Sequence, residues 1–165
     1  MRGKHVAYMD TSMGPFCIWG DDEAIVGAGI TKEMGVDTPD LPPHMLEALS
    51  QSKEYFAGAR RTFDLPLRAE GTPFQKDVWA EMCRIPFGET RSYGQVAKAI
   101  GRPGGARAVG QACRSNPIGV IQPCHRVVGH DGHLVGFGGQ TKDLSLKRRL
   151  IDHEVQASTR SLDGL

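Results

Sequence analysis

The chain has 165 residues, of which 39% are hydrophobic and 24% charged, a composition typical of one globular domain or two small ones that excludes wholesale disorder. No apolar run approaches the roughly 18 residues of a membrane-spanning helix, and no apolar stretch follows the first residues as a secretory signal requires, so we expect a cytoplasmic protein. The net charge of +1 divides into −4 over residues 1–70 and +5 over residues 71–165, so a polyanion would bind the second part, unless the asymmetry is chance scatter of surface charge.

Residues 1–70 predict a small α/β unit, a short antiparallel sheet with one helix. Three apolar segments separated by turns predict the strands: His5–Met9, Phe16–Trp19 and Ala24–Ile30. Apolar residues near helical spacing predict a helix over 42–57, and the alternating residues of 63–67 predict one more strand. No catalytic constellation is visible here, so we interpret this part as a scaffold domain.

Residues 71–165 predict a second, mainly helical domain. Thr72 and Gln75 form a capping box that predicts a helix over 73–83, and Ser92 and Gln95 form another before a helix that ends at Gly101. A short turn then leads to a helix over 105–114. Two short helices joined by a tight turn resemble a helix-turn-helix of winged-helix-like form, whose second helix reads DNA.

The helix predicted over 105–114 has an apolar and a polar face. Residues spaced to face inward are Ala106, Val109 and Cys113, and those sharing the polar face are Arg107, Gln111 and Arg114. Small residues, which let a backbone approach a ligand, recur along it: Gly105, Ala106, Ala108, Gly110 and Ala112. A tight helix–helix contact is the alternative explanation for them. Residues 84–114 hold six basic side chains and one acidic, which would attract a phosphate backbone.

The four cysteines form no CxxC pair, so the sequence favours neither a zinc knuckle nor a dense disulfide framework, and we predict free thiols. Three of them are interpreted as core packing: Cys17, Cys83 and Cys113. The fourth, Cys124, comes after the apolar run Ile118–Ile121, which predicts a buried extended segment, and after Pro123, which excludes a helix before it. A cysteine on the first turn after such a segment feels the positive end of the turn, which favours the thiolate.

His125 follows Cys124 directly, which makes a nucleophile and a base neighbours in sequence. Because adjacent residues do not face each other on a helical turn, His125 would reach the sulfur through a water molecule. A buried cysteine is more often inert packing, and the pair by itself leaves both interpretations open.

The string Pro-Cys-His-Arg-Val-Val at 123–128 resembles the signature of the O6-alkylguanine-DNA alkyltransferases, the methylated-DNA–protein-cysteine methyltransferases. The resemblance covers about residues 72–154 and rests on further strings in the same order: Phe74–Trp79, Pro86–Thr90, Ser92–Tyr93, Ala106–Gly110, Arg114, Asn116–Pro117, Gly136–Gly139, Leu144, Lys147, Arg148 and Glu154. It implies a DNA repair enzyme that transfers the alkyl group of O6-alkylguanine irreversibly to its own cysteine, once per molecule. Acceptance of O4-alkylthymine is left open.

The resemblance implies a role for each matching residue of the reaction centre. Cys124 is the alkyl acceptor, His125 the base acting through water, and Glu154 the acid that orients His125. Asn116 is the hinge asparagine that bonds near the active-site turn. Tyr93 lines the substrate pocket and donates a proton to the departing guanine.

The resemblance also implies that the helix over 105–114 binds the minor groove of double-stranded DNA. Arg107 is the finger that takes the place of the base rotated out of the duplex. The other DNA-contacting residues are Ala106, Ala108, Gly110, Gln111 and Arg114. We expect a monomer, with cooperative binding on DNA left open, that needs no cofactor.

Phe137 and Gly138 are implied to line the substrate pocket as well. The family often has tyrosine where Phe137 stands, and an insertion of about three residues within 140–143 leaves the range of accepted alkyl groups open. The histidines at 130 and 133 enclose an Asp-Gly pair that favours an exposed turn, so no metal site is predicted.

Three other classes of function are compatible with parts of this sequence. A damage-binding module of the same fold lacks the reactive cysteine, so the presence of Cys124 argues against it. A cysteine hydrolase using Cys124, His125 and Glu154 would turn over many times and would need no basic reading helix. A transcriptional regulator is supported only by the helix-turn-helix, since no sensor domain is visible.

Overall fold

The computed structural model describes residues 4–132 and 144–163, without the side chains of 161–163. Its contacts divide the chain into two compact units. The first consists of Met1–Glu70 and Pro117–Ile121, and the second of Gly71–Asn116 and Gln122–Leu165. The short segment 117–121 thus departs from the predicted boundary, which assigned everything after residue 70 to the second domain.

The first unit contains the predicted antiparallel sheet, in the order β1 (His5–Thr11), β2 (Gly14–Gly20) and β3 (Ile25–Ile30). The turn between β2 and β3 is closed by Asp21, whose Oδ1 accepts hydrogen bonds from the backbone N–H groups of Glu23 and Ala24. The three strands are therefore confirmed, each with slightly different ends from those predicted.

Helix α1 (Pro43–Phe56) packs on β1 and β2 and buries Met45 and Tyr55 completely. The further strand predicted over 63–67 is wrong, since only an isolated bridge joins Leu67 to Ile25. The reason is the buried side chain of Gln51, which bonds to both the backbone N–H and the backbone C=O of Asp64 in place of a neighbouring strand.

The segment 117–121 is buried as predicted but is not extended throughout. It joins the first unit because Ala28 donates to Pro117 O and Gly119 donates to Ala28 O, at 3.1 and 2.8 Å. Val120 has φ 71°, and Ile121 N donates to Gly119 O at 2.8 Å, which closes a tight three-residue turn. Apolar composition indicated the burial of this segment but not its turn.

The second unit begins with α2 (Pro73–Met82), and both predicted capping boxes are confirmed, at Thr72 and at Ser92. Trp79 is 2% exposed, and its ring N–H donates to Ala112 O at 2.9 Å. This bond fixes α2 to the helix that carries Ala112.

Helices α3 (Tyr93–Ala99) and α4 (Ala106–Arg114) follow each other across a short turn, as predicted for a helix-turn-helix, while its winged form stays a prediction. The described part of the unit also contains a two-residue parallel pair, β4 (Arg91–Ser92) and β5 (Val127–Val128), two 3-10 turns, Cys124–Arg126 and His130–Gly132, and the long helix α5 (Leu144–Asp163). Within the described residues, no helix has both the length and the apolar character to cross a membrane.

Candidate active site

Cys124 begins a three-residue 3-10 helix, Cys124–Arg126, and its side chain is almost completely buried. The Nδ2 of Asn116 donates to Cys124 Sγ at 3.2 Å and to Gln122 O at 2.9 Å. The side chain of Gln122 donates back to Asn116 Oδ1 at 2.8 Å. Asn116 therefore connects the end of α4 to the turn that carries the thiol and places an N–H on its sulfur.

The thiol of Cys124 is not pre-ionised in this structure. Burial raises its pKa, and the hydrogen bond from Asn116 and the charge of Lys147 oppose this shift without reversing it. The backbone of the turn does act in the direction expected from the sequence, since its N–H at Cys124 lowers the thiol pKa, but the nearly complete loss of water around the sulfur outweighs it. The sulfur needs a base before it can attack.

His125 is completely buried, and its Nε2 lies 2.6 Å from Oε2 of Glu154 on α5. Burial lowers the pKa of His125 even though Glu154 acts to raise it, so the ring is neutral. A carboxylate only accepts hydrogen bonds, so the single ring proton is on Nε2. The lone pair is then on Nδ1, a buried atom for which the described protein atoms provide no hydrogen-bond partner. The histidine is thus held as a base with its free nitrogen inside the protein.

Glu154 has two further partners that the sequence did not indicate. Arg126 donates from Nε to Oε1 at 2.8 Å and from Nη2 to Oε2 at 3.1 Å, and the backbone N–H of Gly88 donates to Oε1 at 3.1 Å. Burial acts to raise the pKa of Glu154, but the hydrogen bonds from His125 and Arg126 outweigh it and hold this pKa well below its usual range. The available signal was an arginine directly before two valines, Val127 and Val128, because an apolar segment tends to be buried and a buried cation requires a carboxylate partner.

Tyr93, at the first position of α3, is buried, and its hydroxyl accepts a hydrogen bond from Nζ of Lys147 at 3.1 Å. Burial, followed by the neighbouring Cys113 and Cys124, raises the pKa of Tyr93 well above its usual value, so the phenol keeps its proton. Lys147 is completely buried, and this burial lowers its pKa. With its oxygen accepting from Lys147, Tyr93 can direct its own O–H toward another group.

The polar face predicted for α4 is exposed: it comprises Arg107, Gln111 and Arg114. The apolar face differs at one position, because Ala112 is buried with Val109 and Cys113 while Ala106 is half-buried. Two of the small residues make close internal contacts, since Ala112 is 2% exposed with its carbonyl bonded to Trp79, and a Cβ added at Gly105 would lie 3.0 Å from Arg102 O. Two others are open: Ala108 is exposed, and a Cβ added at Gly110 would lie 3.9 Å from the ring of Tyr93, an ordinary contact distance. These two short residues leave a surface without protruding side chains between Arg107 and Arg114.

Several predicted residues lie outside the described ranges. They are the pocket residues Phe137 and Gly138, His133, and the insertion within 140–143. His130 is described, and its exposed side chain lies 3.3 Å from the carboxylate of Asp131. Among the side chains described, those of 4–132 and 144–160, no three from His, Cys, Asp or Glu are grouped so as to hold a metal ion.

Comparison with known proteins places this geometry in a known family. Residues 73–156 match the family model for the 6-O-methylguanine DNA methyltransferase, DNA binding domain. The constitutive methylated-DNA–protein-cysteine methyltransferase of Bacillus subtilis is 40% identical over 143 residues, 82% of this chain and 87% of that protein. The methylated-DNA–protein-cysteine methyltransferase of Methanosarcina acetivorans is 41% identical over 150 residues, 87% of this chain and 96% of that protein.

Solved structures agree with these matches. Mycobacterium tuberculosis OGT in complex with DNA superimposes with a TM-score of 0.81 at 38% identity, covering 92% of this chain and 93% of that one. Identity of this level over most of both chains, together with a family model that matches half the sequence, means that the chain belongs to the methylated-DNA–protein-cysteine methyltransferase family.

Proposed function

We propose that the protein repairs O6-alkylguanine in double-stranded DNA by transferring the alkyl group irreversibly to Sγ of Cys124. The observation that carries this proposal is a buried thiol followed directly along the chain by a buried imidazole whose Nε2 is held by Glu154 at 2.6 Å. Such an arrangement provides a nucleophile, a base and a group that orients the base. The names of the relatives, which specify methylated DNA and a protein cysteine, support the same reaction.

The reaction moves one alkyl group and keeps charge balanced. The thiol proton of Cys124 passes through a water molecule to Nδ1 of His125, and Sγ then attacks the alkyl carbon in line with the bond to O6. The S–C bond forms as the C–O6 bond breaks, and its electrons remain on the guanine. Tyr93 donates its hydroxyl proton to the guanine, which leaves neutral, and takes a replacement proton from Nζ of Lys147, which already bonds to its oxygen. Glu154 stabilises the imidazolium that forms on His125.

A buried sulfur requires the damaged base to leave the duplex. Since Cys124 is 2% exposed, a base stacked in B-form DNA cannot bring its O6 substituent to Sγ, and we propose that the nucleotide rotates out at a cost of a few kcal/mol. Arg107 is exposed on α4 and would fill the space that the base leaves. The small residues of the same surface would allow close approach to the minor groove: Ala106, Ala108 and Gly110. Gln111 and Arg114 would contact the DNA backbone.

The proposal assigns the chemistry to residues 71–165 and a scaffold role to residues 1–70. Phe137 and Gly138, which lie outside the described residues, are retained as proposed lining of the pocket for the extruded base on the strength of the family resemblance. The product is a thioether, from which water can expel no good leaving group, so each molecule acts once. We expect the protein to act as a monomer and without a cofactor.

The test is intact and peptide mass spectrometry after incubation with a duplex that carries one O6-methylguanine. We expect one methyl group per molecule on the peptide that contains Cys124, with activity lost in the same proportion. The undamaged duplex and the variant Cys124→Ser are the negative controls, and Cys83→Ser is the matched control at a thiol without a base. A methyl group on Cys83 or Cys113, or repair of many duplexes per molecule, would contradict the proposal, and the second result would favour a hydrolase.

A further inference from the structure

Arg126 has no part in the proton transfers described above, yet the structure fixes it tightly. Its side chain is 7% exposed, and each of its three guanidinium nitrogens donates a hydrogen bond. Two of these bonds go to the two carboxylate oxygens of Glu154 and the third goes to Ile85 O at 2.7 Å. The guanidinium also lies over the ring of Phe87, 5.8 Å from its centre. A cation this well satisfied is rigid.

The guanidinium of Arg126 sets the orientation of the Glu154 carboxylate through two N–H groups, here called the fork. Arginine binds a carboxylate through two parallel N–H groups, which fixes the plane of the carboxylate as well as its position. Here the fork holds both oxygens while Oε2 also accepts from Nε2 of His125 at 2.6 Å. The orientation of the imidazole, and with it the direction of Nδ1, therefore depends on Arg126 through Glu154.

The charge of Arg126 decides which partner neutralises Glu154. A buried carboxylate requires a cation, and a buried cluster with a net charge is costly. With Arg126 present, Glu154 is already neutralised and a neutral His125 completes a cluster of zero net charge. Without the guanidinium, the same carboxylate would draw a proton onto His125, and the base would be occupied before the thiol could use it.

We propose that Arg126 is a positioning residue for alkyl transfer, which orients Glu154 and keeps His125 neutral and free to accept the thiol proton. This inference deepens the proposed function and rests on it for the identity of the reaction. The separation of the two roles is testable, because the fork geometry and the positive charge can be removed independently.

Other groups around His125 also bear on its protonation. Among the described residues, the ionisable side chains that act on its pKa are Glu154, Arg126 and Lys147. Tyr93 and Cys113 interact with the adjacent Cys124. Helix α2 buries only uncharged side chains, and the thiol of Cys83 that follows it interacts with Arg126. Lys147 acts on His125 in the same direction as Arg126. An experiment must therefore show that Arg126, and not Lys147 alone, keeps the ring neutral.

The experiment compares Arg126→Gln, which removes the charge but retains a donor, with Arg126→Lys, which retains the charge but removes the fork. The ring of His125 is titrated by nuclear magnetic resonance in histidine-labelled, DNA-free protein, with His125→Gln identifying its signals. We expect Arg126→Gln to raise the titration midpoint of His125 by at least about one pH unit and Arg126→Lys to leave it within about half a unit. The rate of methyl transfer from duplex DNA should fall by about 10- to 100-fold in Arg126→Lys, because Glu154 is then held less accurately.

Specific results would overturn the inference. An unchanged midpoint in Arg126→Gln would mean that burial and Lys147 set the state of His125 without Arg126. A transfer rate in Arg126→Lys equal to that of the unaltered protein would refute the role of the fork. This measurement tests the inference even if Arg126→Gln does not fold. The titration needs no DNA, so a failure of the unaltered protein to methylate Cys124 would refute the proposed function and leave the result on Arg126 standing.

Discussion

Asn116→Ala removes the side chain that connects α4 to the alkyl-acceptor turn. The asparagine makes at least three hydrogen bonds, two with Gln122 and one with Cys124 Sγ, at 2.8 to 3.2 Å. At a net value of about 1 kcal/mol for each bond, the variant should lose about 3 kcal/mol of unfolding free energy. Gln122 is only 7% exposed, so its amide cannot recover these bonds with bulk water.

The loss is large enough to measure by two independent methods. For a chain of this length about 3 kcal/mol corresponds to a fall in Tm of roughly 6–12 °C, which differential scanning calorimetry detects, and urea denaturation gives the free energy directly. The neighbouring Ser115→Ala is the matched control: its hydroxyl makes one exposed bond to Gln111 O, so its effect should stay within about 0.5 kcal/mol. A loss below about 1 kcal/mol in Asn116→Ala would refute the assignment of this side chain as a structural connection.

Asn116→Ala should also slow methylation of Cys124 at neutral pH, because the hydrogen bond that it removes is one of the interactions lowering the thiol pKa. A transfer rate equal to that of the unaltered protein would show that the N–H on the sulfur does not assist its ionisation.

Three further predictions concern the site. Tyr93→Phe should lower the rate of methyl transfer by about 10²–10³ in single-turnover assays while duplex affinity stays unchanged, since the ring remains and only the proton donor is lost; a normal rate would exclude Tyr93 as the donor. Arg107→Ala should slow repair of duplex DNA far more than reaction with the free O6-alkylguanine base, because only the duplex leaves a gap to fill, and equal losses would contradict the finger role. The folded-state pKa values of His125 and Glu154 are both depressed, so the unfolded chain binds more protons in acid. Urea denaturation should therefore show stability falling as the pH drops below about 6.5, and falling further below about 4.3. A flat profile between about pH 7 and 4.5 would refute the assignment for His125, and no further fall below about pH 4.3 would refute that for Glu154.

Local features of this chain were predictable from sequence because their partners lie a few residues apart. The capping boxes at Thr72 and Ser92 form as predicted, since each joins a cap to the residue three positions later. The exposed face of α4 follows in the same way from helical spacing. Both depend on the geometry of one turn or one helix.

Features that depend on distant contacts were not predictable. Lys147 and Tyr93 are 54 positions apart, and Arg126 and Glu154 are 28 positions apart, so neither buried cation had a visible partner in the sequence. The protonated state of Cys124 was missed for a related reason, because the sequence indicates a turn but not the degree to which folding removes water from the sulfur. The strand expected at 63–67 failed because Gln51, twelve or more positions earlier, takes the backbone groups of Asp64.

The left-handed backbone at Val120 reverses the usual order in which substitutions are tolerated. A β-branched residue at φ 71° costs about 1–2 kcal/mol of backbone strain, and the side chain, 4% exposed, returns roughly 1.5–3 kcal/mol by burial. Val120→Ala would lose most of the burial free energy and retain the strain. Val120→Gly would lose the burial free energy as well but would relieve the strain. A saturation screen of this position should therefore rank Val120→Gly level with or above Val120→Ala, so that an alanine scan alone would report the packing of this side chain and miss the backbone strain beneath it.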